Sequence, residues 1–229
     1  AYHIPRRKSD LGRLLAELAR ETDIVHTHSA HAVLPVHVAL QVKKMGFNTK
    51  LVATLHYHAV GHTLARELLW KLYWRRCVAR LVQRVDRVHT VSQYEARQVL
   101  SHYPHVKSKL VIIPNGVNED VFQYKWKGQN SNYMIYAGRI ERYKRLELAV
   151  DLAKQLRLRL LIVGEGPHKK RLMRYAEKNY PGRVEFLPPQ LRHRYLGLLA
   201  NARYAVNPSI EEAYSIFIAE ALVIGTPSY

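Results

Sequence analysis

Apolar residues follow two alternating rhythms along this 229-residue chain. In "SDLGRLLAELARE", Leu11, Leu14, Leu15 and Leu18 recur at helical spacing, and Ser9 or Asp10 stands where a cap belongs. "DIVHTH" follows as a short strand. "HAVLPVHVALQVKKMG" returns to helical spacing and stops at Gly46. Then come a strand in "KLVATLHYH", a long helix over 64–84, a strand in "RVHTVS", a helix in "SQYEARQVLSHY" and a strand in "KLVIIPNGV". Ser92 and Glu95 predict a capping box on the last of these helices. Such alternation predicts a parallel sheet covered on both faces.

Residues 118–131, "NEDVFQYKWKGQNS", break the pattern, being polar without a helical stripe. They read as a connection, with the linker at 123–131 between domains at 1–122 and 132–229. A second series follows. "NYMIYAG", "RLLIVGEG", "RVEFL" and "YAVNPS" are strands. "KRLELAVDLAKQL", "HKKRLMRYAEKN", "HRYLGLLANA" and "SIFIAEALVIG" are helices. The expected fold is α/β: two doubly wound domains with a cleft between them. Ligands of such sheets lie at the carboxyl ends of the strands, where "AGR", "GEG" and "NPSIEEA" sit.

Composition is that of a globular protein, 48% hydrophobic and 24% charged. No apolar run reaches the roughly 18 residues of a spanning helix. The opening "AYHIPRRKSD" lacks the apolar core of a signal peptide. Cys77 is the single cysteine, which rules out an internal disulfide and a cysteine zinc site. A cytoplasmic protein is the expectation. Lys and Arg total 36 against 18 Asp and Glu, a net charge of +18. Such a chain attracts polyanions: phosphorylated substrates, anionic lipid or nucleic acid. With no reading helix, zinc finger or RNA-binding aromatic motif, nucleic acid rests on charge alone and is not expected. In 64–84, Arg76, Arg80 and Arg84 repeat every four residues and Trp70 and Trp74 lie a turn apart. That suits an anionic membrane surface, or core aromatics beneath a solvated basic face.

Three constellations carry chemistry. In "YAGRIERYK", Arg139 follows a strand and Lys144 lies near a helix start, a place for a diphosphate; two solvated charges is the plainer reading. In "LLIVGEGPHKK", Gly164 and Gly166, with Glu185 on the next strand, suggest a nicotinamide-cofactor fingerprint. The third glycine position holds Lys169, so a tight turn or a phosphate approach fits better. In "NPSIEEAYSIFIAEA", a helix from near Ser215 holds Glu220 and leaves Glu212 just before it. Eight helical residues rise about 12 Å, the reach from a sugar past a diphosphate to a ribose. Carboxylates at both ends suit sugar hydroxyls. The alternatives are a dipole partner at Glu212 and a solvated Glu220. His26, His28, His31, His58 and His62 suggest a metal cluster, but they lack carboxylate or thiolate companions at helical spacing, and no metal is expected.

"IIPNGV", "AGRIERYK", "IVGEGP" and "PSIEEAYSIFIAEALVIGTP", in that order, together resemble the retaining nucleotide-sugar glycosyltransferases of family 4, which have two facing Rossmann-like domains (the GT-B fold). "DIVHTHS", "VATLHYH" and "RVHTVS" are similar to strands of that family's first domain. The resemblance implies transfer from a UDP-, GDP- or ADP-sugar to a glycan, lipid-linked or small-molecule acceptor, without a metal cofactor. Position by position, it implies that Arg139 and Lys144, beside Gly138, hold the diphosphate, that Glu212 lies by the transferred sugar, and that Glu220 binds the ribose. Ala213, Tyr214 and Ser215 stand where the family usually has Gly-Phe-Gly. Gly164 and Gly166 match the turn near the nucleotide, Phe186 and Leu187 the strand end beside the base, and His56 a first-domain histidine near the reacting sugar. Family members begin with an earlier strand and glycine-rich loop and continue beyond "GTP", so each domain is expected to be incomplete. The rival expectation is a non-catalytic module of the same fold that grips an anionic partner through its basic surface.

Overall fold

The structure, a computed structural model, describes residues 8–30, 32–46, 48–57 and 75–229. The chain divides into two compact units, Ala1–Asn115 and Gly116–Tyr229. The expected segment 58–74, with His58, His62, Trp70 and Trp74, lies outside the described residues, as does His31.

In the first unit, β1 (Ile24–His28), β2 (Lys50–Thr54), β3 (Arg87–Thr90) and β4 (Leu110–Ile112) form a parallel sheet in that order. The first described helix is α1 (Lys8–Arg20), so Ser9 and Asp10 lie within it and not at its cap. α2 (Val33–Lys44), the helices Arg75–Arg84 and Gln93–His102 and the 3-10 turn Pro104–Lys109 also belong to this unit. Leu51, Leu55, Val78, Val82, Val88 and Val99 are fully buried in its core, each worth about 2 kcal/mol relative to exposure. Asp86 clasps the edge of this core, accepting from Leu51 N at 2.8 Å and Lys43 Nζ at 3.0 Å.

The capping box forms by half. Ser92 Oγ accepts from Glu95 N at 3.0 Å. The Glu95 carboxylate turns away from the helix end and accepts from Val91 N at 2.7 Å and Tyr57 N at 2.6 Å, fully buried. It ties the end of β3 to the segment after β2. Burial raises its pKa, against those two bonds.

The second unit is doubly wound in the order β7-β6-β5-β8, all parallel. β5 is Tyr133–Ala137, β6 Arg159–Val163, β7 Val184–Leu187 and β8 Tyr204–Ala205. Because alternate strand residues point to opposite faces, Met134, Tyr136, Leu160 and Ile162 pack against helices Leu146–Gln155 and Lys169–Asn179. Ile135, Leu161 and Val163 pack against helices Arg192–Ala200 and Ile216–Ile224. Both faces are covered, as the near-continuous apolar strands require.

The stretch 118–131, expected as a linker, is packed onto this second unit. Val121 is fully buried. Trp126 donates from its backbone N to Ile224 O and from Nε1 to Ala202 O, both at 2.9 Å. Its polar composition hid two apolar anchors.

Candidate functional site

The order β7-β6-β5-β8 makes the chain run outward from β5 in one direction and then return to its other side. The crevice at such a switch point, beyond the carboxyl ends of β5 and β8, is where α/β sheets hold ligands. Two adjoining cavities lie there. One, of about 560 Å³, is lined by Gly138, Arg139, Gly164, Gln190, Arg192 and Glu220 among others. The other, of about 200 Å³, is lined by Lys144, Asn207, Glu212, Tyr214 and Ser215. They share Ala137, Gly138, Ile216 and Phe217.

Local geometry explains the glycines. Gly164 has φ +140°, and a Cβ there would meet Gly138 O at 2.0 Å. A Cβ on Gly166 would meet Ile140 O at 2.2 Å. These two glycines let the loops after β5 and β6 nest against one another. Glu185 of the weighed nicotinamide fingerprint pairs with Arg159 at 2.7 Å and is not part of the cavity lining.

Both basic side chains are already matched. Lys144, in the turn Arg142–Lys144, is 9% exposed and ion-paired with Glu212. Arg145 behind it is left-handed at φ +49°, a strained position for a non-glycine residue. Arg139 is 77% exposed by side chain and ion-paired with Glu141. It opens to solvent beside the larger cavity, whereas Lys144 sits inside the smaller one.

The last helix supplies the acidic end. Ser215 caps it, its Oγ accepting from Ile218 N at 3.3 Å, and Gly225 closes it at φ +88°. Asn207 Nδ2 donates to Ser215 Oγ at 3.0 Å and reaches Glu212 Oε2 at 3.4 Å. Glu212 lies in the loop before the helix, so the helical rise does not set its separation from Glu220. Ala213 is buried. Glu220 is 4% exposed, accepting from Arg192 Nη1 and Tyr195 Oη, each at 2.5 Å. Glu220 is therefore neither solvated nor bare. Burial, then Glu220, raises the Tyr195 phenol above its ordinary value. Asp120 and Glu220 do the same for Arg192.

The strand end at β7 differs from expectation. Phe186 points to the opposite face, into a separate hollow of about 330 Å³ with Met173, Tyr180 and Val184. Leu187 packs into the core beside Leu161 and Val163, and its carbonyl accepts from Gly164 N at 2.9 Å. Pro189 and Gln190, just beyond, line the cavity in their place. Sequence reading also passed over Asn207, Arg192, Tyr195 and Asp120. The "NPS" turn signalled the first. Arg192 and Tyr195, three apart on one helix, could have signalled a shared polar face.

In the first unit, His56 is held at φ +46° after β2, with its ring stacked on His28 at 6.0 Å. His28 lies 4.3 Å from His26, between ring centroids. Thr54 Oγ1 links His26 Nε2 and His89 Nδ1 at 2.7 Å each, and His89 Nε2 meets Ile113 O at 2.8 Å. A carbonyl only accepts, so His89 Nε2 carries the proton. With that tautomer, His89 Nδ1 accepts a hydrogen bond from the Thr54 hydroxyl, and Thr54 Oγ1 accepts from His26 Nε2. Burial first, then His28 and His89, lower the pKa of both His26 and His56. Among the described residues no group of three or more His, Cys, Asp or Glu is placed to hold a metal ion.

Two parallel-sheet units, the second with a switch-point site of paired carboxylates and cations, define the GT-B glycosyltransferase fold class. Residues 1–121 match the model of Glycosyltransferase Family 4, and residues 117–228 match Glycosyl transferases group 1. The chain belongs to this glycosyltransferase family. It is 26% identical to an MMP alpha-(1->4)-mannosyltransferase of Mycolicibacterium hassiacum, over 94% of this chain and 54% of that protein. It is 27% identical to a D-inositol 3-phosphate glycosyltransferase of Mycolicibacterium smegmatis, over 64% of this chain and 38% of that protein. It thus matches about half or less of these relatives' lengths. Among solved structures, sucrose-phosphate synthase from Thermosynechococcus elongatus superposes with a TM-score of 0.74 at 23% identity, over 99% of this chain and 62% of that one. The catalytic domain of Starch Synthase IV from Arabidopsis thaliana, bound to ADP and acarbose, superposes with a TM-score of 0.66 at 15% identity, over 96% and 58%.

Proposed function

We propose that the chain's second unit binds a nucleoside-diphosphate sugar and that the protein transfers its sugar, with retention, to a glycan, lipid-linked or small-molecule acceptor. One observation carries the reading: Lys144, Glu212 and Glu220 open into adjoining cavities at the switch point. The smaller cavity suits the sugar and the near phosphate, the larger one the nucleoside. In the proposed step the bond from the anomeric carbon to the diphosphate oxygen breaks. The acceptor oxygen bonds the same face of that carbon, and its proton passes to the departing diphosphate. Lys144, assisted by Arg139, takes up the charge that develops there, and Glu212 fixes the sugar hydroxyls. His56 is assigned to the first unit's substrate contact. No resident metal is invoked.

Calorimetry with UDP, GDP and ADP, followed by turnover of the matching hexose donors, tests this. A micromolar-range affinity for one diphosphate and a product of unchanged anomeric configuration are expected. Binding of none of the three overturns it.

The basic helix Arg75–Arg84 favours an added membrane role. Arg76, Arg80 and Arg84 are exposed, with no acidic partner among the described residues. Peripheral contact with an anionic inner leaflet, from the cytoplasmic side, belongs to the same proposal. Anionic vesicles should bind the chain in a salt-dependent way and oligonucleotides should not. The opposite preference, with no nucleotide bound, favours the non-catalytic module.

A further inference from the structure

Glu220 accepts two hydrogen bonds before any ligand arrives, from Arg192 Nη1 and Tyr195 Oη. All three residues line the 560 Å³ cavity. An ionised carboxylate offers about four acceptor sites, so roughly two remain. Arg192 is itself gripped from behind. Its Nε and Nη2 donate to Asp120 Oδ2 and Oδ1 at 2.9 and 3.0 Å. Asp120 sits on the turn Glu119–Gln123, is not part of the cavity lining, and is 39% exposed by side chain. A guanidinium fork held on both edges has little freedom to swing. Its charge is answered by two carboxylates, so Arg192 is poorly suited to be the anion ligand.

We propose that Arg192, braced by Asp120, is a positioning residue that turns the two remaining acceptor sites of Glu220 toward a vicinal pair of hydroxyls, so that the second unit distinguishes a ribonucleoside diphosphate from its 2′-deoxy counterpart. This inference rests on the nucleotide reading above. Asp120 acts at one remove, through Arg192 alone. A purely structural role for the clasp would weaken both ligands together. A positioning role weakens the ribonucleotide more than the deoxynucleotide, which has only its 3′-hydroxyl contact to lose.

The test compares the whole chain with Asp120→Asn and Arg192→Lys by calorimetry against UDP, GDP and ADP and their 2′-deoxy forms, with melting followed in parallel. The unaltered chain should prefer the ribonucleotide about tenfold, the worth of one charge-assisted hydrogen bond. Both variants should reduce that preference to roughly twofold, with 2′-deoxy binding falling less than ribonucleotide binding because only its 3′-hydroxyl contact is affected. A wild-type ratio in both variants, or equal loss of both ligands, overturns the clasp and leaves the nucleotide site standing. If the unaltered chain binds no diphosphate, the site reading falls and the clasp falls with it.

Discussion

Lys144 and Glu212 are ion-paired inside the smaller cavity although 68 positions separate them in sequence. The pair balances itself without ligand. Under the proposed function, an arriving diphosphate would meet a cation whose charge is partly spent and a carboxylate that repels it. Lys144→Ala should therefore do more than delete a donor, because it leaves Glu212 unanswered beside the phosphate. Turnover should fall about 100-fold or more, as for other lost charge-stabilising groups. The double variant Lys144→Ala/Glu212→Gln should bind nucleoside diphosphate several-fold better than Lys144→Ala. Calorimetry measures both. Equal affinities would mean that Glu212 does not face the phosphate.

Gly164 has no room for a methyl group against Gly138. Its φ of +140° and the 2.0 Å approach to the Gly138 carbonyl penalise alanine twice. Gly164→Ala should cost about 2 to 4 kcal/mol of stability, combining overpacking and backbone strain. It should also displace the loop that carries Gly138, weakening nucleotide binding. Gly182→Ala is the control: its φ is also positive, +66°, but nothing lies within 4 Å of a Cβ there. Melting curves should show a smaller loss for Gly182→Ala.

The histidines of the first unit give it a pH dependence of definite sign. His26 and His56 have folded-state pKa values below the ordinary 6.5. Just below that value the unfolded chain binds more protons than the folded one. Stability is thus fully present above pH 6.5 and is lost as pH falls through the lowered values. After burial, repulsion from His28 and His89 is the second cause of the lowering at both rings. Melting temperature should drop on acidification from pH 6.5, and His56→Gln should flatten that drop. A melting temperature unchanged across that range would contradict the placement of these rings.

Much of the second unit is legible because its chemistry is local. "YMIYA" and "RLLIV" are long enough apolar runs to be read as buried strands, and the glycine turns mark their ends. Glu220 is legible as an acid in an apolar helix. Its partners are not, because Arg192 stands 28 positions before it and Asp120 a further 72 before Arg192, and no periodicity connects them. The turn at 118–131 misleads for a related reason. Val121 and Trp126 are two apolar residues in polar surroundings, and only the fold shows that both meet the last two helices. Nor does alternation say which face of a doubly covered strand looks toward the ligand.

That last ambiguity yields a prediction at β7. Val184 and Phe186 pack on the face of Met134 and Leu172, while Leu187 packs on the face of Leu161. The cavity is reached only beyond the strand, at Pro189 and Gln190. Gln190 Nε2 donates to Pro188 O at 2.6 Å, which holds its amide near the cavity wall and leaves its Oε1 available as an acceptor. Phe186→Ala should cost about 2 kcal/mol of stability through lost packing, somewhat less than a fully buried phenylalanine because the ring is half-buried. It should leave the nucleoside-diphosphate dissociation constant within about twofold of the unaltered chain. Gln190→Ala should do the reverse, sparing stability and weakening the diphosphate of one base more than the others. Melting and calorimetry on the two variants separate these outcomes. Loss of affinity in Phe186→Ala with intact melting would put the base on the other face of the sheet.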